Sequence, residues 1–206
     1  MKYISIDIET TGLDPLKDQV LSFGAILEDT TNPLPFDKIS KFHAAIKRDR
    51  IEGGLYAINM NKKLLETINN YMSSKDSKER DDIINGTGMQ FYEECDIVYG
   101  FKQWLIANDF IEKESDQPIP VTIAGKNFAT FDKLFIERLP RWKQFFRIRQ
   151  RIIDPAILFM DWYNDDSLPG LSLCKKRAGF NPNVTHDAIE DAWDVIELLR
   201  LNYNNN

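Results

Sequence analysis

The chain opens on a clean alternation, with Ile4, Ile6 and Ile8 on one side and Tyr3, Ser5, Asp7 and Glu9 on the other, which is the period of a β-strand. The run stops at Thr10-Thr11-Gly12. Two further apolar runs, at 20–27 and 39–46, are separated by a loop carrying Asn32-Pro33 and Pro35, so a three-stranded antiparallel meander is expected. Over 56–72 the spacing of Leu64, Leu65, Ile68 and Tyr71 predicts a helix. Residues 73–90 are polar, carry the punctuation Gly86-Thr87-Gly88 and show little apolar periodicity, which predicts a mobile surface loop inserted into the domain. Its length exceeds what compact domains commonly carry without a purpose. A helix is expected over 91–110, a strand over 120–124 and a helix over 129–139. Ile152-Ile153-Asp154 then leads into Pro155 and another helix, and the last two helices fall at 171–178 and 187–201. Strands that begin as a meander and later alternate with helices predict one α/β domain over 1–206 with a mixed sheet.

Composition narrows the class. The 206 residues are 43% hydrophobic and 28% charged, as in an ordinary globular domain with a substantial core. No basic leader followed by a long apolar run opens the chain, and no stretch approaches the length of a membrane span, so the reading is a cytoplasmic protein with no membrane role. Cys95 and Cys174 are the two cysteines, too few and too far apart for a structural zinc site, and are expected as reduced, buried thiols. The net charge of −6 argues against an extended sheath of phosphate contacts on duplex DNA. It leaves room for an enzyme that grips a strand by its end. One stretch runs against the total: between Lys133 and Arg151 lie Lys133, Arg138, Arg141, Lys143, Arg147, Arg149 and Arg151 against the single acid Glu137. This is the strongest candidate for backbone phosphate contact, although such a run is also an ordinary solvated surface.

Three places bear chemistry. In Asp7-Ile8-Glu9 two acids two residues apart on a strand point to the same face. An isolated pair of this kind is ordinarily a solvated face, but where burial holds two carboxylates together a cation or a raised pKa must relieve the repulsion, and oxygen donors suit magnesium or manganese. In Ala124-Gly125-Lys126-Asn127-Phe128-Ala129-Thr130-Phe131-Asp132 an acid stands at a helix start beside the apolar stripe Phe128, Phe131, Phe135 and Leu139; alone, it reads as a carboxylate favoured by the helix dipole. In Thr185-His186-Asp187-Ala188-Ile189-Glu190-Asp191, Asp187 as N-cap with Glu190 three residues on puts His186 at N′ and Asp191 at N4, two positions that touch. Proteins usually fill that pair with apolar side chains. Here a titratable base sits beside an acid, although a lone histidine is more often a bonded structural one.

Taken together, Asp7, Glu9, Asp132, His186 and Asp191 resemble the motif set of the DEDDh 3′-to-5′ exonucleases, the superfamily of polymerase proofreading exonucleases, ribonuclease T and oligoribonuclease. The resemblance covers most of the chain; the first and last motifs are highly specific, and the middle motif has a spacing nearer the oligoribonuclease type. It implies a ribonuclease H-like mixed five-stranded sheet flanked by helices. It further implies two Mg²⁺ ions, for which Mn²⁺ is expected to substitute, held by Asp7, Glu9, Asp132 and Asp191, with His186 as general base and activity falling below neutral pH. Thr10, Thr11, Gly12 and Leu13 would form the pocket of the terminal nucleotide, with Asn127 and Phe131 as further substrate contacts, the ring stacking on a base. The implied partner is the 3′ end of a single strand, DNA foremost, with a polymerase or replication partner left open. Two other readings stay in view: an exoribonuclease, which needs recognition of the 2′-hydroxyl, and a catalytically silent nucleic-acid-binding module.

Overall fold

The computed structural model describes residues 1–112 and 117–203. The opening alternation forms β1 (Lys2–Thr10), antiparallel to β2 (Val20–Asp29), which is antiparallel to β3 (Lys41–Ile46). Two short strands, β4 (Gln90–Tyr92) and β6 (Ile123–Ala124), add parallel to β3 and β1 and complete a five-stranded mixed sheet in the order β4-β3-β2-β1-β6. The expected fold class and meander are therefore present. Beside this sheet, β5 (Ile119–Val121) pairs in parallel with β7 (Phe146–Ile148).

The period of two in β1 divides the molecule. Ile4, Ile6 and Ile8 face a core built around Phe23, Phe42, Phe101 and Trp142, with Phe101 supplied by α4 (Ile97–Ala107). The opposite face, bearing Tyr3, is covered by α8 (Ala188–Tyr203) through Ile189, Ala192, Val195 and Ile196, and Ser5 Oγ donates to the Ala192 carbonyl at 2.7 Å. The polar face of β1 is thus roofed rather than solvated.

Gly24 sets how closely that roof sits. It pairs with Asp7 across β1 and β2, and a Cβ at this position would lie 2.3 Å from the Ala188 carbonyl oxygen at the start of α8. Gly24→Ala must therefore push the helix start off the sheet, an overpacking cost of about 1–3 kcal/mol or roughly 5 °C in Tm for a chain of this size. Thermal melts and turnover of that variant check this: both are expected to fall, and unchanged values for both would reject the close approach as a constraint.

Several elements differ from the sequence expectation. The helix expected over 56–72 is two, α1 (Leu55–Met60) and α2 (Lys62–Ser73), because Asn61 turns away to donate its Nδ2 to the Thr10 carbonyl at 3.1 Å. The 73–90 segment is not a loop. It folds as α3 (Ser77–Thr87), capped by Asp76 accepting from the Lys78 amide and ended by Gly88 at φ +66°; Ile83 and Ile84 pack on a satellite cluster with Ile68, Met89 and Phe91, so two apolar residues suffice to seat a helix that its polar composition concealed. The helix expected from 91 instead begins as β4, with Phe91 stacked on Tyr71 at 3.8 Å. The strand expected over 120–124 is split between the two sheets. The helix expected over 129–139 contracts to α5 (Asp132–Ile136), and α6 (Trp142–Phe145) follows it unannounced. After Pro155 the chain makes a 3₁₀ turn over Pro155–Phe159, then α7 (Leu171–Arg177). Both cysteines are free, but only Cys174 is buried; Cys95 is exposed. Among the described residues no helix is long and apolar enough to cross a membrane.

Candidate active site

The three acidic segments of the sequence meet at the C-terminal end of β1. β6 ends at Ala124, opposite Ser5, and beyond it the amides of β1 that point this way lose their ladder partner. Asp132, at the start of α5, fills the gap: its Oδ1 accepts from the Ile8 amide at 3.1 Å. This bond explains how an acid with only 3% of its surface exposed is tolerated, and it pins Asp132 to the strand that carries Asp7 and Glu9.

The last segment arrives from above. Asp187 caps α8, its Oδ1 accepting from the Ile189 amide at 3.0 Å and the Glu190 amide at 3.3 Å, as the capping pattern requires. His186, in the left-handed region at φ +54°, turns back over the helix start. Donor atoms of His186, Asp191 and Glu9 all lie within 4.8 Å of one another. The N′ and N4 positions do meet, and a strand carboxylate joins them.

Burial acts on every acid here, and repulsion from neighbouring carboxylates acts on Asp7, Glu9 and Asp191. Burial first, then the charge of Asp132 and those of Asp191 and Glu9, holds the Asp7 carboxyl well above the usual carboxylate range. Burial with the charge of Asp191 pushes Glu9 up to about 8. Burial raises Asp132 to about 7 against the lowering effect of the Ile8 amide, and burial with Asp194 raises Asp191 to about 7, opposed by Lys175. Lys175 is itself buried, with Nζ 2.5 Å from Asp194 and 2.7 Å from the Asn183 carbonyl. A cluster of this kind without a bound positive charge is a set of anions held where ionisation is costly, and oxygen-rich donor sets of this kind fit hard divalent cations.

A cleft of about 590 Å³ opens over the cluster, with Asp7, Glu9, Asp191 and His186 lining it beside Leu13, Tyr56, Met60 and Phe131. Of the residues expected to touch substrate, Thr10, Gly12, Leu13 and Phe131 line it. Leu13 is 82% exposed, so it is a wall residue and not core packing. Phe128 is fully buried and belongs to the core. Thr11 and Asn127 are not among the lining residues: the Thr11 hydroxyl accepts from the Gln19 amide at 2.8 Å, and the Asn127 amide is spent on Asp154 Oδ2 at 2.9 Å. The sequence reading missed two further lining residues. Tyr56 and Met60 come from α1, which has no buried residue and leaves Tyr56 83% exposed; the signal available was the exposed Leu55-Tyr56 pair directly after the Gly53-Gly54 break.

No family model matches the chain, and no curated protein is significantly similar to it in sequence. Solved structures are similar in fold. The nuclease domain of 3′hExo, a DEDDh family member bound to rAMP, superposes with a TM-score of 0.62 at 10% identity, over 100% of this chain and 92% of that one. Cell-death related nuclease 4 gives 0.59 at 13% identity, over 100% and 64%. The zinc-bound exonuclease I of E. coli with single-stranded DNA gives 0.57 at 15% identity, over 99% and 41%. The chain thus spans less than two thirds of the length of the last two. At these identities the likeness defines a fold class: this is the ribonuclease H-like fold of the DEDDh exonucleases.

Proposed function

We propose that the chain is a single-domain, metal-dependent 3′-to-5′ exonuclease that releases nucleoside monophosphates from the 3′ end of single-stranded DNA. One observation carries this reading: four acids from three distant segments, Asp7, Glu9, Asp132 and Asp191, converge under a cleft with His186 beside them. In this reading Glu9 and Asp191 would hold one divalent ion and Asp132 a second, with Asp7 as a further ligand of the cluster. Such ions supply positive charge that activates water and stabilises the attacking and leaving oxygens of an in-line displacement at phosphorus.

The chain's own groups supply the rest. Leu13 and Phe131 face Tyr56 and Met60 across the cleft, a pair of apolar walls able to take a base of any identity by stacking. Thr10 and Gly12 line the same cleft as the acids and are the residues this reading assigns to the terminal sugar. A ring nitrogen of His186 takes a proton from the attacking water as a new O–P bond forms; the P–O3′ bond breaks, the departing O3′ takes a proton from solvent, and His186 later returns its proton to solvent, leaving a 5′-monophosphate and a strand with a fresh 3′-hydroxyl. No covalent intermediate is needed.

A second reading, an exoribonuclease, is favoured by the rAMP bound to the 3′hExo domain, which this chain matches over 92% of that domain. Exonuclease I with bound single-stranded DNA supports the first. One assay separates them: 3′-labelled and 5′-labelled strands of DNA and of RNA, incubated with magnesium, with manganese and with chelator. The expected result is immediate release of labelled mononucleotide from 3′-labelled DNA, a shortening ladder from 5′-labelled DNA and silence in chelator. Faster loss of RNA would favour the second reading, and no chelator-sensitive release from either polymer would leave a silent binding module.

A further inference from the structure

The arginine-rich stretch divides in space. Arg138 follows α5 close enough to Asp14, in the loop beyond Leu13, to help hold that carboxyl low, so it sits near the cleft. Arg147, Arg149 and Arg151 lie elsewhere. In β7 the alternation buries Phe146 and Ile148 and turns Arg147 outward; Arg149, whose amide bonds the Val121 carbonyl at 3.0 Å, and Arg151 are exposed beyond it. With Met1 and Thr122 the three line a depression of about 710 Å³. Met1 precedes β1 and Asp7 lies six positions on (7 − 1 = 6), so at about 3.3 Å per residue the depression is roughly 20 Å from the carboxylate cluster, at the other end of the same strand.

These arginines differ from the four that are ion-paired. Arg48, Arg50, Arg177 and Arg200 each meet a carboxylate: Glu94, Glu52, Asp165 and Glu28. Among the described residues, none of the guanidinium groups of Arg147, Arg149 and Arg151 forms an ion pair. In a chain of net charge −6 this is a local surplus of positive charge with no internal use. The guanidinium fork matches phosphate oxygens. Arg147 and Arg149, two residues apart along an extended segment, are separated by about 6.6 Å, close to two steps of a stacked strand at about 3.4 Å each.

We propose that Arg147, Arg149 and Arg151 form a second binding surface that holds the phosphodiester backbone of the substrate upstream of the cleft. The inference rests on the exonuclease reading. A strand must bridge at least about six stacked nucleotides to occupy both places, so the surface acts on long strands and is out of reach of short ones. It lends affinity and retention between cuts and takes no part in bond breaking.

The test compares wild type with R147E/R149E/R151E and R147K/R149K/R151K, after melts show equal Tm. Binding of labelled single strands of about three and about twenty nucleotides is measured in chelator across a salt series, and hydrolysis of the trinucleotide in magnesium. Charge reversal is expected to weaken the long strand by about tenfold or more and to lower its salt slope by about two, at about 0.7 per phosphate contact on single strands. The lysine variant should keep most of the slope, and trinucleotide turnover should not move. Unchanged long-strand affinity and slope would overturn the proposal, as would equal losses on short and long strands or displacement of the long strand by an acidic peptide at lower concentration. Failure of wild type to cut the trinucleotide would count against the exonuclease reading instead, since the binding arm runs without metal.

Discussion

Asp7→Asn is expected to lower turnover by about a thousandfold or more and, in chelator above neutral pH, to raise the melting temperature. The first effect follows from removing a ligand at the centre of the cluster: charge stabilisation of the displacement is worth several kcal/mol, and about 4 kcal/mol is a thousandfold in rate. The second follows from the same carboxylates. Burial, joined at Asp7, Glu9 and Asp191 by repulsion from neighbouring carboxylates, raises Asp7 well above the usual range, Glu9 to about 8, and Asp132 and Asp191 to about 7, against about 4 in an unfolded chain. Between those values the folded state binds more protons than the unfolded one, so stability falls as pH rises. The contribution is complete below about pH 4 and is lost as pH climbs through 7 and 8. Asparagine at position 7 carries no charge, so its variant should lose less over that range. On the proposed reading magnesium binds the folded state, so it should restore wild type far more than the variant. Melts at pH 5 to 8 with chelator and with magnesium, beside a turnover assay, decide it; a variant that melts below wild type at pH 8 in chelator, or that still turns over, would dissolve the shared-cluster argument.

How much of this was readable in advance depends on what each segment leaned on. β1 was legible because its period of two is unbroken and one face is wholly apolar, and α8 because the Asp187 cap is a local device whose hydrogen bonds lie within three residues. Those two elements carry Asp7, Glu9 and Asp191, and His186 stands directly before the cap, so most of the candidate site was legible with them. Asp132 was legible as a residue but not as a position: its burial depends on β6 ending early and freeing the Ile8 amide, a long-range fact. The failures share that character. Asn61 breaks a helix because of a carbonyl fifty-one residues away, α3 is seated by a satellite cluster rather than by its own composition, and the 120–124 run divides because its two halves find different partners.

The wall formed by Tyr56 and Met60 shows the limit from another side. An exposed aromatic on a helix with no buried face has no packing reason to be there, but exposure is invisible before the fold is known. Once α1 is seen against the cleft, the same residue lines it together with Leu13 and Phe131. Thr11 and Asn127, also expected at the substrate, stand outside the cleft lining, where the Thr11 hydroxyl accepts from the Gln19 amide and the Asn127 backbone amide donates to Asp154.

His186→Ala is expected to lower turnover by a hundredfold to ten-thousandfold, the range for a positioned proton acceptor, while leaving single-strand affinity in chelator within about twofold. The separation is possible because His186 is exposed and precedes the start of α8, so its removal opens no core cavity and leaves intact the helix-cap bonds, which belong to Asp187. Its ring lies within ligand distance of Glu9 and Asp191, which raises a rival role as a metal ligand, and three readouts part the two. A base loses kcat alone, and because the site is open to solvent, added imidazole should restore part of the lost turnover by occupying the vacated space. A ligand loses metal affinity, so the magnesium concentration for half activity would rise several-fold and saturating metal would recover the rate. His186→Gln, which can accept a hydrogen bond but not a proton at neutral pH, should match alanine if proton transfer matters. Equal turnover of His186→Ala and wild type at pH 8 would remove His186 from the chemistry altogether.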